Sequence, residues 1–260
     1  MDEILKFVIH CVKESGKIQR KYFQKTLQIE HKGSINLVTN VDLECQEKIV
    51  SMIRSEFPED DILSEEGTNT ISSAKRKWII DPLDGTTNYA HGYPFFCTSI
   101  ACEMDGELYA GAIYNPIHEE LFYAKKGYGS YLNGERIRVS SISDISIALL
   151  STGFPYDLAT SKRNNIDNFL RFIFKAQAIR RDGSAALNLA YVAAGIFDGF
   201  WEIKLNPWDV AAGTLLVMEA GGRVTDFSGN PIDIYKDEIL ASNGIIHKQM
   251  LEILNSRESR

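Results

Sequence analysis

The hydrophobic pattern of this chain changes character near residue 140, and that change limits the folds open to it. Before it, residues 96–138 read as three or four short strands, with Met104-Asp105-Gly106 and Leu132-Asn133-Gly134 as hairpin signals. After it, strands and helices alternate. We read strands at 149–152, 178–181, 197–203, 223–226 and 239–242, and helices at 162–175, 185–194, 207–220 and from about His247. Pro207 stands at a helix start, where its missing N–H costs nothing, and Gly221-Gly222 stand where a C-cap is wanted. Upstream, residues 2–24 carry Ile4, Val8, Cys11, Val12, Ile18, Tyr22 and Phe23 on one helical stripe. A polar loop, His31-Lys32-Gly33-Ser34-Ile35-Asn36, precedes a second helix from about Val41 to Glu56, with Thr39 or Asn40 as its N-cap. Residues 1–140 thus form an α+β half with an antiparallel sheet and 141–260 an α/β half, within one unit spanning 1–260.

The chain has 260 residues and a formal charge of −7, with 44% hydrophobic residues, a composition that excludes a disordered chain or a fibre. The acidic balance argues against sequence-independent nucleic-acid binding, which needs a basic face. A small phosphate ligand would need positive charge from another source. No run approaches ~18 consecutive apolar residues, so no membrane span is expected. The N-terminus begins acidic and its apolar run is broken by His10, unlike a secretory signal. Cys11, Cys45, Cys97 and Cys102 show no C-x-x-C spacing and read as reduced thiols of a cytoplasmic protein.

Three segments place acids where the chain leaves regular structure. Glu65-Glu66 follow the short strand Asp61-Ile62-Leu63. Asp81 and Asp84 follow the apolar strand Lys77-Trp78-Ile79-Ile80. Asp209 lies in the first turn of a helix. In Asp81-Pro82-Leu83-Asp84-Gly85-Thr86 the Pro and Gly suit a tight turn, which would aim both carboxylates and the Leu83 carbonyl at one point. Such hard oxygen donors suit Mg²⁺. An acidic surface turn is the competing reading of the hexapeptide, and compensation of the helix dipole that of Asp209. The apolar strand leading into the turn favours a site, because α/β sites sit at strand ends.

Taken together, these segments resemble the inositol monophosphatase family. Trp78 to Tyr89 is similar to its first signature, and Trp208-Asp209-Val210-Ala211-Ala212-Gly213, running on to Gly221-Gly222, to its second. Ile179 to Ala186 resembles its substrate-side segment. The likeness covers essentially the whole chain and is nearest to bacterial and archaeal members, some of which also hydrolyse fructose 1,6-bisphosphate. It implies a layered αβαβα sandwich and Mg²⁺-dependent phosphomonoester hydrolysis with two or three ions. Glu65, Asp81 and the Leu83 carbonyl would hold one ion, and Asp81, Asp84 and Asp209 a second. Glu65 would also support a third. Asp42 and Thr86 would orient the attacking water. Gly85 and Thr86 would bind the phosphate through backbone N–H groups. Ser184, Ala185 and Glu202 would face the polyol, with Arg180 behind or beside them. Ser64 stands where Gly often precedes the Glu pair, and Asn36 where an acid is common. A homodimer and inhibition by Li⁺ are implied by the resemblance alone.

The chemistry explains this choice of residues. In-line attack on a phosphomonoester develops charge on the attacking and leaving oxygens, which two metal ions about 3.5–4 Å apart stabilise together. A hydroxyl bonded to a carboxylate can aim the water and take part in proton transfer. The substrate expected is a phosphorylated polyol or sugar, first of all inositol 1-phosphate, with fructose 1,6-bisphosphate beside it. One alternative is a 3′-phosphatase of adenosine 3′,5′-bisphosphate, for which residues 183–202 offer no obvious adenine-stacking platform. Another is a macromolecule-binding regulatory protein that keeps the fold. Glycine-rich phosphate loops, H-E-x-x-H and G-x-S-x-G are missing from the sequence.

Overall fold

The computed structural model describes residues 2–25, 29–31, 37–67, 69 and 74–256, residues 29–31 by their backbone alone. The chain runs α1 (Glu3–Tyr22), β1 (Ile29–His31), β2 (Leu37–Thr39), α2 (Asn40–Glu56), β3 (Asp61–Ser64), β4 (Arg76–Asp84) and α3 (Thr86–Ala90). There follow β5 (Cys97–Met104), β6 (Glu107–Asn115), β7 (Glu120–Lys125), β8 (Gly129–Leu132), β9 (Glu135–Ile137) and β10 (Leu149–Thr152). The remainder is α4 (Ile166–Ile173), β11 (Ala178–Arg180), α5 (Ala185–Ala193), β12 (Gly199–Ile203), α6 (Pro207–Glu219), β13 (Arg223–Thr225), β14 (Glu238–Ser242) and α7 (His247–Leu254).

Two larger sheets carry the architecture, with strand orders β3-β4-β5-β6-β7-β8-β9 and β11-β10-β12-β14-β13. Side chains alternate across each strand, so each sheet has two apolar faces to cover. On β4, Trp78 and Ile80 join Ile100, Cys102, Ala110 and Ala112 against α1 and α2. Ile79 points the other way, with Ala101, Ile113 and Phe122, into α5 and α6. The far side of that helix pair packs on Phe200, Ile239 and Ala241 of the second sheet. The outer face of the second sheet carries Leu150, Trp201 and Leu240 under Phe172 and Met250 of α4 and α7. Five layers result, αβαβα, as expected. Residues of α5 and α6 are buried almost all round because a sheet lies on each side of them.

Several elements differ from the sequence reading. The antiparallel run holds five strands rather than three or four. The turn between β7 and β8, built on Gly127 and Gly129 with left-handed φ, carries no Asn-Gly or Asp-Gly signal. The helix expected at 162–175 is shorter, because Asn165 takes a left-handed φ of 70° and α4 starts only after it. The loop expected from His31 begins inside a small hairpin, β1 pairing antiparallel with β2. Lys32 to Asn36, and with them the Asn36 departure, lie outside the described residues. All four cysteines are free and buried. Among the described residues, no helix is long and apolar enough to cross a membrane.

Candidate active site

Period-two alternation predicts where Asp81 goes. Trp78 and Ile80 face α1 and α2, so Ile79 and Asp81 face the central helix layer. Asp84, three residues on, would then face away. A β-bulge prevents this. Asp81 pairs with Ser99 and Asp84 with Cys97, so three steps on β4 are matched by two on β5. Ser99 and Cys97 share one face, and the extra residue brings Asp84 round to the face of Asp81. The Asp81-to-Thr86 segment is therefore a bulged strand end rather than the tight turn read from sequence, and the reversal comes at Gly85. Its φ of 92° is left-handed, and a Cβ there would lie 3.0 Å from the Phe95 carbonyl oxygen. The Pro82 carbonyl accepts from Gln19 Nε2 (2.8 Å) and Thr98 Oγ1 (3.1 Å), which fixes the bulge from beneath.

The other acids arrive from both sheets. Glu65 follows β3, which runs parallel to β4. Its loop is gripped from α2 by Gln46, whose side chain donates to the Glu66 carbonyl (2.9 Å), accepts from the Glu66 N–H (3.1 Å) and bonds the Ser64 hydroxyl. Sequence reasoning missed Gln46. Ser64, noted as a departure, spends its hydroxyl on that clamp. Asp209 is the third residue of α6 and accepts from the Asn206 N–H (2.7 Å). It thus caps its own helix and also lines the cavity. On β12, Phe200 faces the central layer and Trp201 the outer one, so Glu202 returns to the central side. There it fills the space a Gly153 side chain would need, since a Cβ at 153 would lie 2.1 Å from Glu202 Oε1.

One cavity of about 380 Å³ gathers Glu65, Asp81, Leu83, Asp84, Gly85, Thr86, Ser184, Ala185, Glu202 and Asp209. Asp42 stands behind it. One of its oxygens, Oδ2, is held by the Thr39 N–H (2.9 Å) and the Thr39 hydroxyl, while Oδ1 accepts from Thr86 Oγ1 (3.0 Å). Asp84 Oδ2 accepts from Ser184 Oγ (2.6 Å) and the Ala186 N–H (2.8 Å). Arg180 is not among the lining residues. It is exposed and turned onto the Ile179 carbonyl, and the guanidinium at the cavity belongs to Arg181. Asn88, Tyr156, Asp157, Asn188, Lys204 and Trp208 also line the cavity without having been singled out from sequence.

The electrostatics are those of crowded acids. Burial, then Glu65, Asp84 and Asp209, push Asp81 well above the ordinary carboxylate range. Asp209 is raised well above it by removal from water and by Asp84. Burial lifts Asp84 to about 6 against the pull of Ser184 and the N–H groups of Ala186, Ala185 and Gly85. Burial lifts Asp42 to about 6 and Glu202 to about 8. Bound cations would relieve this strain. Among the described residues no group of three or more His, Cys, Asp or Glu side chains is already arranged to hold a metal ion. The donors that line the cavity are nonetheless hard oxygens, the type that divalent cations take when water and phosphate oxygens complete the shell.

The model of the inositol monophosphatase family matches residues 1–259. The chain belongs to that family. It is a phosphoric monoester hydrolase, as expected from the two signatures. Inositol monophosphatase 2 of Solanum lycopersicum is 42% identical, over 99% of this chain and all of that protein. Nus factor SuhB of Pseudomonas aeruginosa is 39% identical, over 96% of this chain and 95% of that one. A fructose-1,6-bisphosphatase/inositol-1-monophosphatase of Thermotoga maritima is also 39% identical, with the same coverage. The solved inositol monophosphatase of Anabaena (Nostoc) sp. PCC 7120 superposes with a TM-score of 0.89 at 40% identity, covering 96% of this chain and 94% of that one.

Proposed function

We propose that this member of the inositol monophosphatase family hydrolyses inositol 1-phosphate, and also fructose 1,6-bisphosphate, with Mg²⁺ as cofactor and water as nucleophile. One observation carries the reading: Glu65, Asp81, Asp84 and Asp209 share a cavity with Thr86, which is itself bonded to the buried Asp42. Glu65, Asp81, the Leu83 carbonyl, Asp84 and Asp209 would hold the cations, which would supply Lewis-acid charge to the phosphoryl oxygens and acidify a water. Asp42 is fixed by Thr39, so the Thr86 hydroxyl that donates to it keeps its lone pairs free to accept from that water and aim it. Protons taken by Thr86 pass to Asp42, a carboxylate above about pH 6. The backbone N–H groups of Gly85 and Thr86 would receive phosphoryl oxygens, and Ser184, Ala185 and Glu202 the polyol hydroxyls. Arg180 would stand behind these residues, and Arg181 lines the cavity beside them.

The substrate names rest on the relatives from Solanum lycopersicum and Thermotoga maritima. A macromolecule-binding role beside catalysis rests on the name of the Pseudomonas aeruginosa relative and on no side chain described above. A cytoplasmic homodimer follows from the resemblance, and a monomeric mass by sedimentation would remove the dimer. The deciding experiment measures phosphate release from inositol 1-phosphate, fructose 1,6-bisphosphate and adenosine 3′,5′-bisphosphate, with Mg²⁺ and with EDTA. Release from the first two in Mg²⁺ alone is expected. Release from the adenosine compound only would replace this reading with the nucleotidase one.

A further inference from the structure

Two cations line the cavity beside the acids, Arg181 and Lys204, and they are not equivalent. Lys204 Nζ donates to Asp157 Oδ2 (2.6 Å) and Ser161 Oγ (2.8 Å). Its charge is matched, and its side chain straps the segment after β10 to the end of β12. Arg181 is exposed and makes no hydrogen bond or ion pair among the described residues. Its charge acts on Glu202 across the cavity, while that of its neighbour Arg180 acts on Asp182.

The backbone under Arg181 is nevertheless anchored. Asn88 Nδ2 donates to the Asp182 carbonyl (2.7 Å) and to the Phe95 carbonyl (2.7 Å). Asn88 belongs to α3, which begins directly after Gly85, so the position of Arg181 is referenced to the turn that follows Asp84. An anchored guanidinium that acts on Glu202 through its charge, yet spends no N–H donor on any described residue, leaves its planar fork for acceptor oxygens brought by the ligand. The reacting phosphoryl group belongs with Asp84, Gly85 and Thr86, which leaves Arg181 for a second anionic group on the same molecule. Arginine suits this role, because its planar fork matches phosphate oxygens two at a time.

We propose that Arg181 is a specificity-determining residue that binds the second phosphate of a bisphosphorylated sugar and sets the preference of the cavity for bisphosphates over monophosphates. The proposal rests on the phosphatase reading of the same cavity. The test compares wild type, Arg181→Gln and Arg181→Lys on fructose 1,6-bisphosphate and fructose 1-phosphate, by kcat/KM and by calorimetric affinity, both in Mg²⁺. The bisphosphate-to-monophosphate ratio is expected to fall about tenfold in Arg181→Gln, with partial recovery in Arg181→Lys, which keeps the charge and loses the fork. A ratio within about threefold of wild type in Arg181→Gln overturns the proposal. If the wild type releases phosphate from neither compound, the phosphatase reading fails, and the affinity ratio by calorimetry still decides the role of Arg181.

Discussion

Thr86 Oγ1 lies 3.0 Å from Asp42 Oδ1, joining the turn after β4 to the first turn of α2 across 44 residues of sequence. The hydroxyl is also 3.1 Å from the Leu83 carbonyl, and with one proton it can serve only one acceptor at a time. Donation to Asp42 leaves the Leu83 carbonyl available to a cation. Replacing Thr86 by Ala is expected to lower kcat by about 10²–10³-fold with little change in KM, and Thr86→Ser to restore most of it. Steady-state kinetics with inositol 1-phosphate reads this, and equal losses for Ala and Ser would refute a role for the hydroxyl.

Asp84 ends β4, with Ser184 and Ala186 at the start of α5 donating to it. Asp84→Asn keeps an acceptor oxygen for those donors but removes a charge. Phosphate release in Mg²⁺ should disappear while the circular dichroism stays that of wild type. Near-normal activity would sink the metal scheme.

Stability should depend on pH in a direction set by the raised carboxylates. A carboxyl group raised on folding binds more protons in the native state, so its contribution is fully present below its unfolded pKa and is lost as pH rises through the folded value. Glu202, raised to about 8, titrates across neutrality, with Asp81 and Asp209 raised beside it. His247, held neutral by burial and lowered to about 4, works in the opposite sense, but only below about pH 6.5. Between pH 6.5 and 8 the protein in EDTA should therefore lose about 1–2 kcal/mol. Mg²⁺ should raise the melting temperature, and raise it more at pH 8 than at 6.5. Thermal melts at the two pH values check this, and a melting temperature in EDTA that climbs over the interval contradicts it.

Gly85→Ala tests the turn. A side chain there meets the Phe95 carbonyl at 3.0 Å and must hold a φ of 92°. A loss of about 1–3 kcal/mol by urea unfolding is expected, with activity falling further than stability, because the N–H groups meant for phosphate move with the backbone.

Much of this was legible in the sequence because it is local. An apolar run ending in acids placed Asp81 and Asp84 at a strand end, and Pro207 with Gly221-Gly222 bounded α6 to within a residue. What was not legible depends on registration between distant segments. The bulge between Asp81 and Asp84 exists only relative to β5, so the hexapeptide alone read as a turn. Arg180 and Arg181 differ by one step at the end of β11, a three-residue edge strand whose pattern does not say which side faces the cavity. Gln46 is an ordinary polar residue on α2 until the Ser64-to-Glu66 backbone comes to rest against it.

The bonds from Ser184 and Ala186 to Asp84 join the end of β4 in the first sheet to the start of α5 in the central helix layer. Catalytic competence is therefore a property of docking rather than of either half. In a refolding chain the ellipticity of strands and helices would return first and enzyme activity last. A substitution that loosens α5 against α6 would silence the enzyme while leaving most of its secondary structure in place.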